Sequence, residues 1–279
     1  MRSIIVSKDN DGDYCNIQEA LDAIPYDEDG EIIVKEGVYN EKLFSDKRSL
    51  TIKGEGQVVI TYGQGAREIL SDGLKRGTFR TYTAFFSGRK LRLENITIEN
   101  SAGSGKKVGQ ALALYLDAEE SVLENVVLKG YHDTLFLSPL PESEREKRGF
   151  YGPRYLCDRK RTSLTYIGGR IEGSVDFIFG GGDALFKDTE IVSVEEGYVT
   201  APSGNRDWEG MVFDSCRFTS TLCEKESVYL MRPWRDEGKA IFRNCAFGAH
   251  INRKGFSPWP GREEYSHLST FKMENCSFI

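Results

Sequence analysis

The 279-residue sequence predicts an all-β fold, a single-stranded right-handed parallel β-helix with a short N-terminal capping helix. The first observation is a six-residue unit that recurs seven times, which is typical of a solenoid because each unit buries its apolar face only against its neighbours. The second is a turn-forming residue at the third position of the unit, and the third is the lack of a helical pattern between copies. No Pro-rich or Ser-rich linker interrupts the repeats, so we expect one domain over residues 1–279.

The repeat unit places its inward residues at the first, fourth and sixth positions, with Asn, Asp, Ser or Gly at the third. A single pleated strand would alternate strictly, so the third position must break the alternation. Those four residue types tolerate a left-handed or bent backbone, and each copy is therefore interpreted as strand, bend, strand, with coils about 4.8 Å apart. We expect Leu93, Leu123, Phe213 and Phe242 to line the interior. The seven copies are residues 93–98, 123–128, 166–171, 186–191, 213–218, 242–247 and 273–278.

Two segments depart from the repeat. Near the N-terminus, Asn16 is the expected N-cap of a helix that stops at Pro25 and covers the first coil. Its apolar residues fall on one face and are Ile17, Ala20, Leu21 and Ile24. Residues 138–161 form the longest interruption between copies and are rich in charge and proline, which predicts a surface excursion from the coil.

The composition narrows the classes of partner. A net charge of −6 is spread along the chain without a strongly basic face, which argues against nucleic acid. No apolar stretch could span a bilayer, and the run at residues 1–6 is too short for a signal peptide, so we expect no membrane partner. As written, the chain is expected to be cytoplasmic, or secreted if its N-terminus has been processed, and to be a monomer. The six cysteines form no Cys-x-x-Cys pair, so no metal site is expected, and Cys216, Cys245 and Cys276 are interpreted as small buried hydrophobic residues.

Two aspartates are the main candidates for chemistry. Asp133 and Asp176 open similar phrases, each eight residues after the third position of its own copy of the repeat. Stacked coils would place them side by side, with side-chain stems about 5 Å apart. Because two buried like charges repel, one carboxyl should keep its proton while the other ionises, which gives an acid and a nucleophile. The alternative is a structural ladder of aspartates satisfied by turn amides.

Other polar and aromatic residues could complete a site. Gln110, one coil earlier, could hold an oxyanion, although a single Gln is more often a surface strand residue. Arg232 could lock one carboxylate in its ionised form through paired N–H bonds, although an isolated Arg usually forms a surface ion pair. Four aromatic residues are candidate substrate contacts, and their alternative role is ordinary packing. They are Trp234, Phe179, Phe136 and Trp259.

Five segments in order along the chain resemble the signature segments of pectin methylesterases, the pectinesterase family of carbohydrate esterases. They are Gly37-Val38-Tyr39-Asn40-Glu41, Gln110-Ala111-Leu112-Ala113-Leu114, His132-Asp133-Thr134-Leu135, Gly173-Ser174-Val175-Asp176-Phe177-Ile178-Phe179-Gly180 and Leu230-Met231-Arg232-Pro233-Trp234. The resemblance covers nearly the whole chain, and the combination is far more specific than any one segment.

The resemblance implies hydrolysis of the C6 methyl ester of galacturonate in pectin or methylated oligogalacturonides, without metal or cofactor. It assigns Asp176 as the nucleophile, Asp133 as the general acid and later base, Gln110 as an oxyanion donor and Arg232 as the residue that holds the nucleophile. This assignment agrees with the one made from the residues themselves.

The chain departs from the family pattern at two positions and leaves two other functions open. His132 stands where the family usually has Gln, and it can still donate one N–H to an oxyanion. Met231 stands where the family usually has Gly and is expected to add bulk near the cleft floor. Carboxylates about 5 Å apart also suit a retaining glycosidase, so a pectin-directed glycoside hydrolase is one alternative. A catalytically silent sugar-binding homologue is the other.

Overall fold

Short parallel strands dominate the computed structural model, which describes residues 2–220 and 222–279. The strands of the first half are β1 (Arg2–Val6), β2 (Asp29–Asn40), β3 (Leu43–Ser45), β4 (Ser49–Tyr62), β5 (Ala84–Glu94), β6 (Thr97–Asn100), β7 (Leu114–Glu124), β8 (Val127–Lys129), β9 (Leu135–Leu137) and β10 (Ser163–Ile167). Those of the second half are β11 (Arg170–Gly180), β12 (Asp183–Lys187), β13 (Glu190–Pro202), β14 (Met211–Asp214), β15 (Arg217–Thr219), β16 (Val228–Met231), β17 (Lys239–Arg243), β18 (Ala246–Phe247), β19 (Thr270–Glu274) and β20 (Ser277–Phe278). Each strand pairs in parallel with its equivalent on the next coil, as expected for a parallel β-helix.

The seven copies of the repeat stack in register. Their first positions pair in one continuous ladder, which runs from Leu93 through Leu123, Tyr166, Phe186, Phe213 and Phe242 to Met273. Their sixth positions form a second ladder, which runs from Ile98 through Leu128, Ile171, Ile191, Phe218 and Phe247 to Phe278. The sequence prediction of register is therefore confirmed.

The third position of every copy has a left-handed backbone. The φ angles lie between 52° and 63° at Asn95, Asn125, Gly168, Asp188, Ser215, Asn244 and Asn275. Asn, Asp and Gly adopt this conformation more readily than other residues, which explains why they recur at the bend between two strands. The predicted strand, bend, strand unit is confirmed.

The interior of the coil is a stack of apolar side chains. Leu93, Leu123, Phe213 and Phe242 are fully buried, as predicted. The rings of Phe213 and Phe242 stack with centroids 4.8 Å apart and planes 6° from parallel. Of the three repeat cysteines, two are 1% exposed, whereas Cys276 is partly exposed because it lies on the last described coil.

The N-terminal helix α1 (Ile17–Asp22) is capped differently from the sequence prediction. Asn16 occupies the N-cap position, but its side chain makes no capping hydrogen bond. Instead the carboxylate of Glu41 accepts hydrogen bonds from the N–H groups of Ile17 and Gln18, at 3.1 and 3.0 Å. An acid from the neighbouring coil therefore satisfies the first turn. The four predicted apolar residues are all buried.

The other helices are short turns between strands. They are α2 (Gly105–Val108) and the 3-10 helices at Thr78–Arg80 and Glu263–Leu268. Within the described residues, no helix is both long and apolar enough to cross a membrane.

Residues 138–161 leave the coil as predicted and contain no strand in the described structure. The excursion is not wholly exposed, because Leu140 is 2% and Phe150 is 4% exposed. Both side chains belong to an aromatic cluster outside the main core, together with Phe79, Tyr115 and Phe136. The excursion therefore covers the outer face of the middle coils.

Candidate active site

Coil stacking places Asp133 directly beside Asp176. Strand β9 pairs with β11 so that Leu135 lies opposite Ile178, and the N–H of Asp133 donates to the carbonyl of Val175 at 3.1 Å. Both aspartates have a left-handed backbone, with φ of 63° and 52°, although neither occupies the third position of a repeat. Such strained conformations cluster at functional sites, since surrounding structure must hold them.

Arg232 binds Asp176 with both arms of its guanidinium group. Nε donates to Oδ1 at 2.9 Å and Nη2 donates to Oδ2 at 2.6 Å, the paired geometry that favours an ionised carboxylate. The guanidinium carbon lies 4.0 Å from the ring centroid of Tyr198 and 4.5 Å from that of Trp259. These two rings fix the orientation of Arg232 by cation–π contact.

The two carboxyl groups differ in charge environment. Burial raises the pKa of Asp133 well above its ordinary value, and the charge of Asp176 raises it further, while Arg232 opposes both effects. Burial also raises the pKa of Asp176, but the charge and the hydrogen bonds of Arg232 oppose that rise. Because only Asp176 has a cation bonded to it, Asp176 is the carboxyl that ionises first and Asp133 is the one that keeps its proton.

His132 lies next to the pair and is half-buried. Its imidazole packs against Gly105 of α2, and burial lowers its pKa below the ordinary value. A neutral imidazole at physiological pH carries one N–H donor, which is the form that an oxyanion site can use.

Gln110 lies one coil earlier and is exposed. The N–H of Ala111 donates to the carbonyl of His132 at 3.1 Å, so the backbone beside Gln110 is attached to the coil that carries Asp133. Gln110 also lines a cavity of about 460 Å³ with Arg67 and Arg148. The side chain of Gln110 is therefore accessible to a molecule bound in this cavity.

The four aromatic candidates fall in different environments. Phe179 is 4% exposed and packs edge-on against Trp234, whose ring is half-buried and lies 5.7 Å from it. Trp259 contacts the guanidinium of Arg232, and therefore also supports the ion pair. Phe136 is fully buried between Phe79 and Phe179, so its predicted contact with substrate is replaced by a packing role.

Met231 is placed differently from the sequence expectation. Its side chain is fully buried in the main core, and its backbone pairs with Thr200 on the preceding coil. It therefore fills the interior of the coil and does not narrow the cleft.

Sequence reasoning missed two residues of the site, Tyr198 and Glu195. Tyr198 pairs with Val175 across the coils. It could have been found by asking which residue lies opposite the Asp176 segment on the next coil. Glu195 lies on β13 between Ser193 and Tyr198, where the register with β11 shifts and the repeat predicts no position. Among the described residues, no group of three or more His, Cys, Asp or Glu side chains is placed to hold a metal ion.

The fold and the site together define a class, a hydrolase with paired carboxylates on a parallel β-helix. The sequence model of one family, described as Pectinesterase, matches residues 3–152 and 159–276. Pectinesterase 31 of Arabidopsis thaliana is 31% identical over 287 residues, which cover 99% of this chain and 82% of that protein. The chain belongs to the pectinesterase family and is a carboxylic ester hydrolase.

Solved structures agree with this assignment. The pectin methylesterase of Aspergillus niger has a TM-score of 0.80 and 27% identity, and the match covers 99% of this chain and 85% of that one. A pectin methylesterase in complex with a hexasaccharide has a TM-score of 0.78 and 26% identity, over 99% of this chain and 89% of that one. The fold is the right-handed parallel β-helix of these enzymes.

Proposed function

We propose that this chain hydrolyses the C6 methyl ester of galacturonate residues in pectin or methylated oligogalacturonides, with Asp176 as nucleophile and Asp133 as acid and base. The observation that carries the proposal is the paired hydrogen bonding of Arg232 to Asp176 beside a second carboxyl, that of Asp133. Membership of the pectinesterase family supports the reaction, and the hexasaccharide complex of a related pectin methylesterase supports an oligosaccharide substrate.

The first half of the reaction forms a covalent intermediate. An oxygen of ionised Asp176 attacks the ester carbonyl carbon and gives a tetrahedral oxyanion. The carbon–oxygen bond to the methoxy group then breaks, and the proton of Asp133 passes to the departing oxygen, which leaves as methanol. The remaining species is an anhydride between Asp176 and the substrate carboxyl.

The second half regenerates the enzyme. Asp133, now ionised, takes a proton from water as the water oxygen attacks the anhydride. The remaining O–H of water stays on the substrate carbonyl carbon, cleavage of the anhydride returns Asp176 as a carboxylate, and the new galacturonic acid carboxyl loses its proton to solvent. Arg232 accommodates the charge of Asp176 at the start and end of this cycle, while its charge keeps the pKa of Asp176 from rising further.

Gln110 and His132 are the proposed donors to the oxyanion. The N–H of Ala111 bonds to the carbonyl of His132, which joins the backbones that carry both donors. Two donors that approach the developing oxyanion would stabilise the transition state more than the ester. The packed rings of Trp234 and Phe179 are the proposed contact for the sugar ring and its methyl ester.

The test is an assay of methanol release and chain length in parallel, on methylated oligogalacturonides and on polymeric pectin. We expect methanol to appear while chain length stays constant. Shortening of the chain without methanol would indicate a glycoside hydrolase, and binding without either product would indicate a silent sugar-binding protein. Comparison of oligomer and polymer rates would also give the preferred substrate size.

A further inference from the structure

Residues 101–110 form a strap across the coil that carries His132. The strap leaves the end of β6, contains α2 and ends at Gln110, just before β7. It therefore carries one proposed oxyanion donor and covers the other. Its start is fixed because the Asn100 amide donates to the carbonyls of Gln64, Thr81 and Leu112.

The strap touches His132 through a glycine. A Cβ atom at position 105 would lie 2.2 Å from Cγ of His132 and 2.5 Å from its Nδ1, closer than any real contact. Only Gly105 lets the backbone of the strap lie flat against the imidazole ring. The position of the strap therefore sets the position of the ring.

Backbone hydrogen bonds join both ends of the strap to residues 62–67. Within the described residues, one side-chain pair joins its middle to a more distant coil. Oγ of Ser104 donates to Oε1 of Glu195 at 2.8 Å, across 91 residues of sequence. Glu195 belongs to β13, two coils beyond the one that carries His132. Within the described residues, Oε2 of Glu195 is buried and has no hydrogen-bond partner. A buried carboxylate oxygen without a partner is costly, so the bond of Oε1 to Ser104 is the contact that Glu195 makes on this side.

Charged groups surround His132 on several elements. Burial is the main cause that lowers the pKa of the half-buried His132; Glu195 raises this pKa, whereas Arg232, Arg67 and Lys106 lower it further. Glu195 is thus the acidic group among three cations around the imidazole.

We infer that Glu195 is a positioning residue for the oxyanion site: its hydrogen bond to Ser104 holds the strap so that His132 and Gln110 are both directed at the reacting ester. The inference rests on the proposed function of these two donors. The hydrogen bond itself, rather than the charge of Glu195, does the positioning, since the acceptor oxygen is the atom that contacts the strap.

The test compares four variants by steady-state kinetics of methanol release. Glu195→Ala and Ser104→Ala should each lower kcat by about tenfold to a hundredfold, because a misplacement near 1 Å costs that much, while KM changes little. The double variant should be no worse than either single variant, since both remove one bond. Glu195→Gln keeps an acceptor oxygen for Ser104 and should retain kcat. Glu196→Ala, at the exposed neighbouring residue, is the matched control and should also match the parent.

Equal loss in Glu195→Gln and Glu195→Ala would overturn the inference, as would parental kcat in Ser104→Ala. A second readout does not depend on activity. The imidazole nitrogen resonances of His132 should shift in Ser104→Ala and stay unchanged in Glu196→Ala, and unchanged resonances in Ser104→Ala would refute the strap. If the parent protein released no methanol from methylated oligogalacturonides, the proposed function would fail, while these resonances would still decide the positioning role.

Discussion

Replacement of Arg232 by Lys tests how the nucleophile is kept ionised. Lysine retains the positive charge but cannot reproduce the two parallel bonds at 2.9 and 2.6 Å. A hydrogen bond to a charged group contributes about 1.5–3 kcal/mol, so losing one of two should weaken stabilisation of ionised Asp176 by that amount. At about 1.4 kcal/mol per factor of ten, kcat should fall by roughly tenfold to a hundredfold at neutral pH.

The pH dependence of kcat in Arg232→Lys tests the direction in which the pKa of Asp176 changes. Arg232 opposes the rise in the pKa of Asp176, so its replacement by Lys should raise that pKa. Asp176 would then stay protonated to higher pH, and the acidic limb of the pH profile of kcat should move to higher pH. Arg243→Lys is the matched control, because Arg243 forms a loose exposed ion pair with Asp214 at 3.9 Å. An acidic limb that stays in place in Arg232→Lys would refute the assigned role.

Three further predictions concern the core, the acid and the oxyanion donor. Phe242→Ala should lower the free energy of unfolding by about 3–5 kcal/mol, measured by chemical denaturation. Met273→Ala, at the same repeat position but 36% exposed, should lower it by less than half as much. Equal losses in the two variants would contradict the stacked interior ladder. Asp133→Asn should suppress methanol release severely because the leaving oxygen loses its acid, and near-parental turnover would exclude that role. His132→Gln should remain active and lack the parent's histidine titration, which lies below the ordinary histidine pKa because burial lowers it. His132→Ala should lose about a hundredfold to a thousandfold in kcat, and full turnover in the alanine variant would leave Gln110 as the donor.

Repetition made the fold and the central pair predictable from sequence. Each third position takes a left-handed φ, so counting eight residues forward from Asn125 and Gly168 places Asp133 and Asp176 together. Local residue type and the same offset within two copies of the repeat were sufficient for this step. The cap of α1 could not be predicted in the same way, because its acceptor, Glu41, lies on another coil.

Residues governed by loops escaped the sequence analysis. Phe136 was expected to contact the substrate, but Phe79, from a segment outside the repeat, packs against it and the side chain is fully buried. The expected place of Met231 near the cleft was wrong because its side chain turns into the core. Glu195 reaches the site through a register shift that no pattern in the sequence encodes, whereas Tyr198 lies opposite the Asp176 segment on the next coil.

The most direct measurement of the central claim is methanol release by Asp176→Ala, with binding of a methylated oligogalacturonide measured calorimetrically on the same sample. We expect methanol release to be abolished while affinity stays within about threefold of the parent, because the nucleophile acts in the chemical step. Methanol release close to that of the parent would show that Asp176 is not the nucleophile, and the paired-carboxylate mechanism would be wrong.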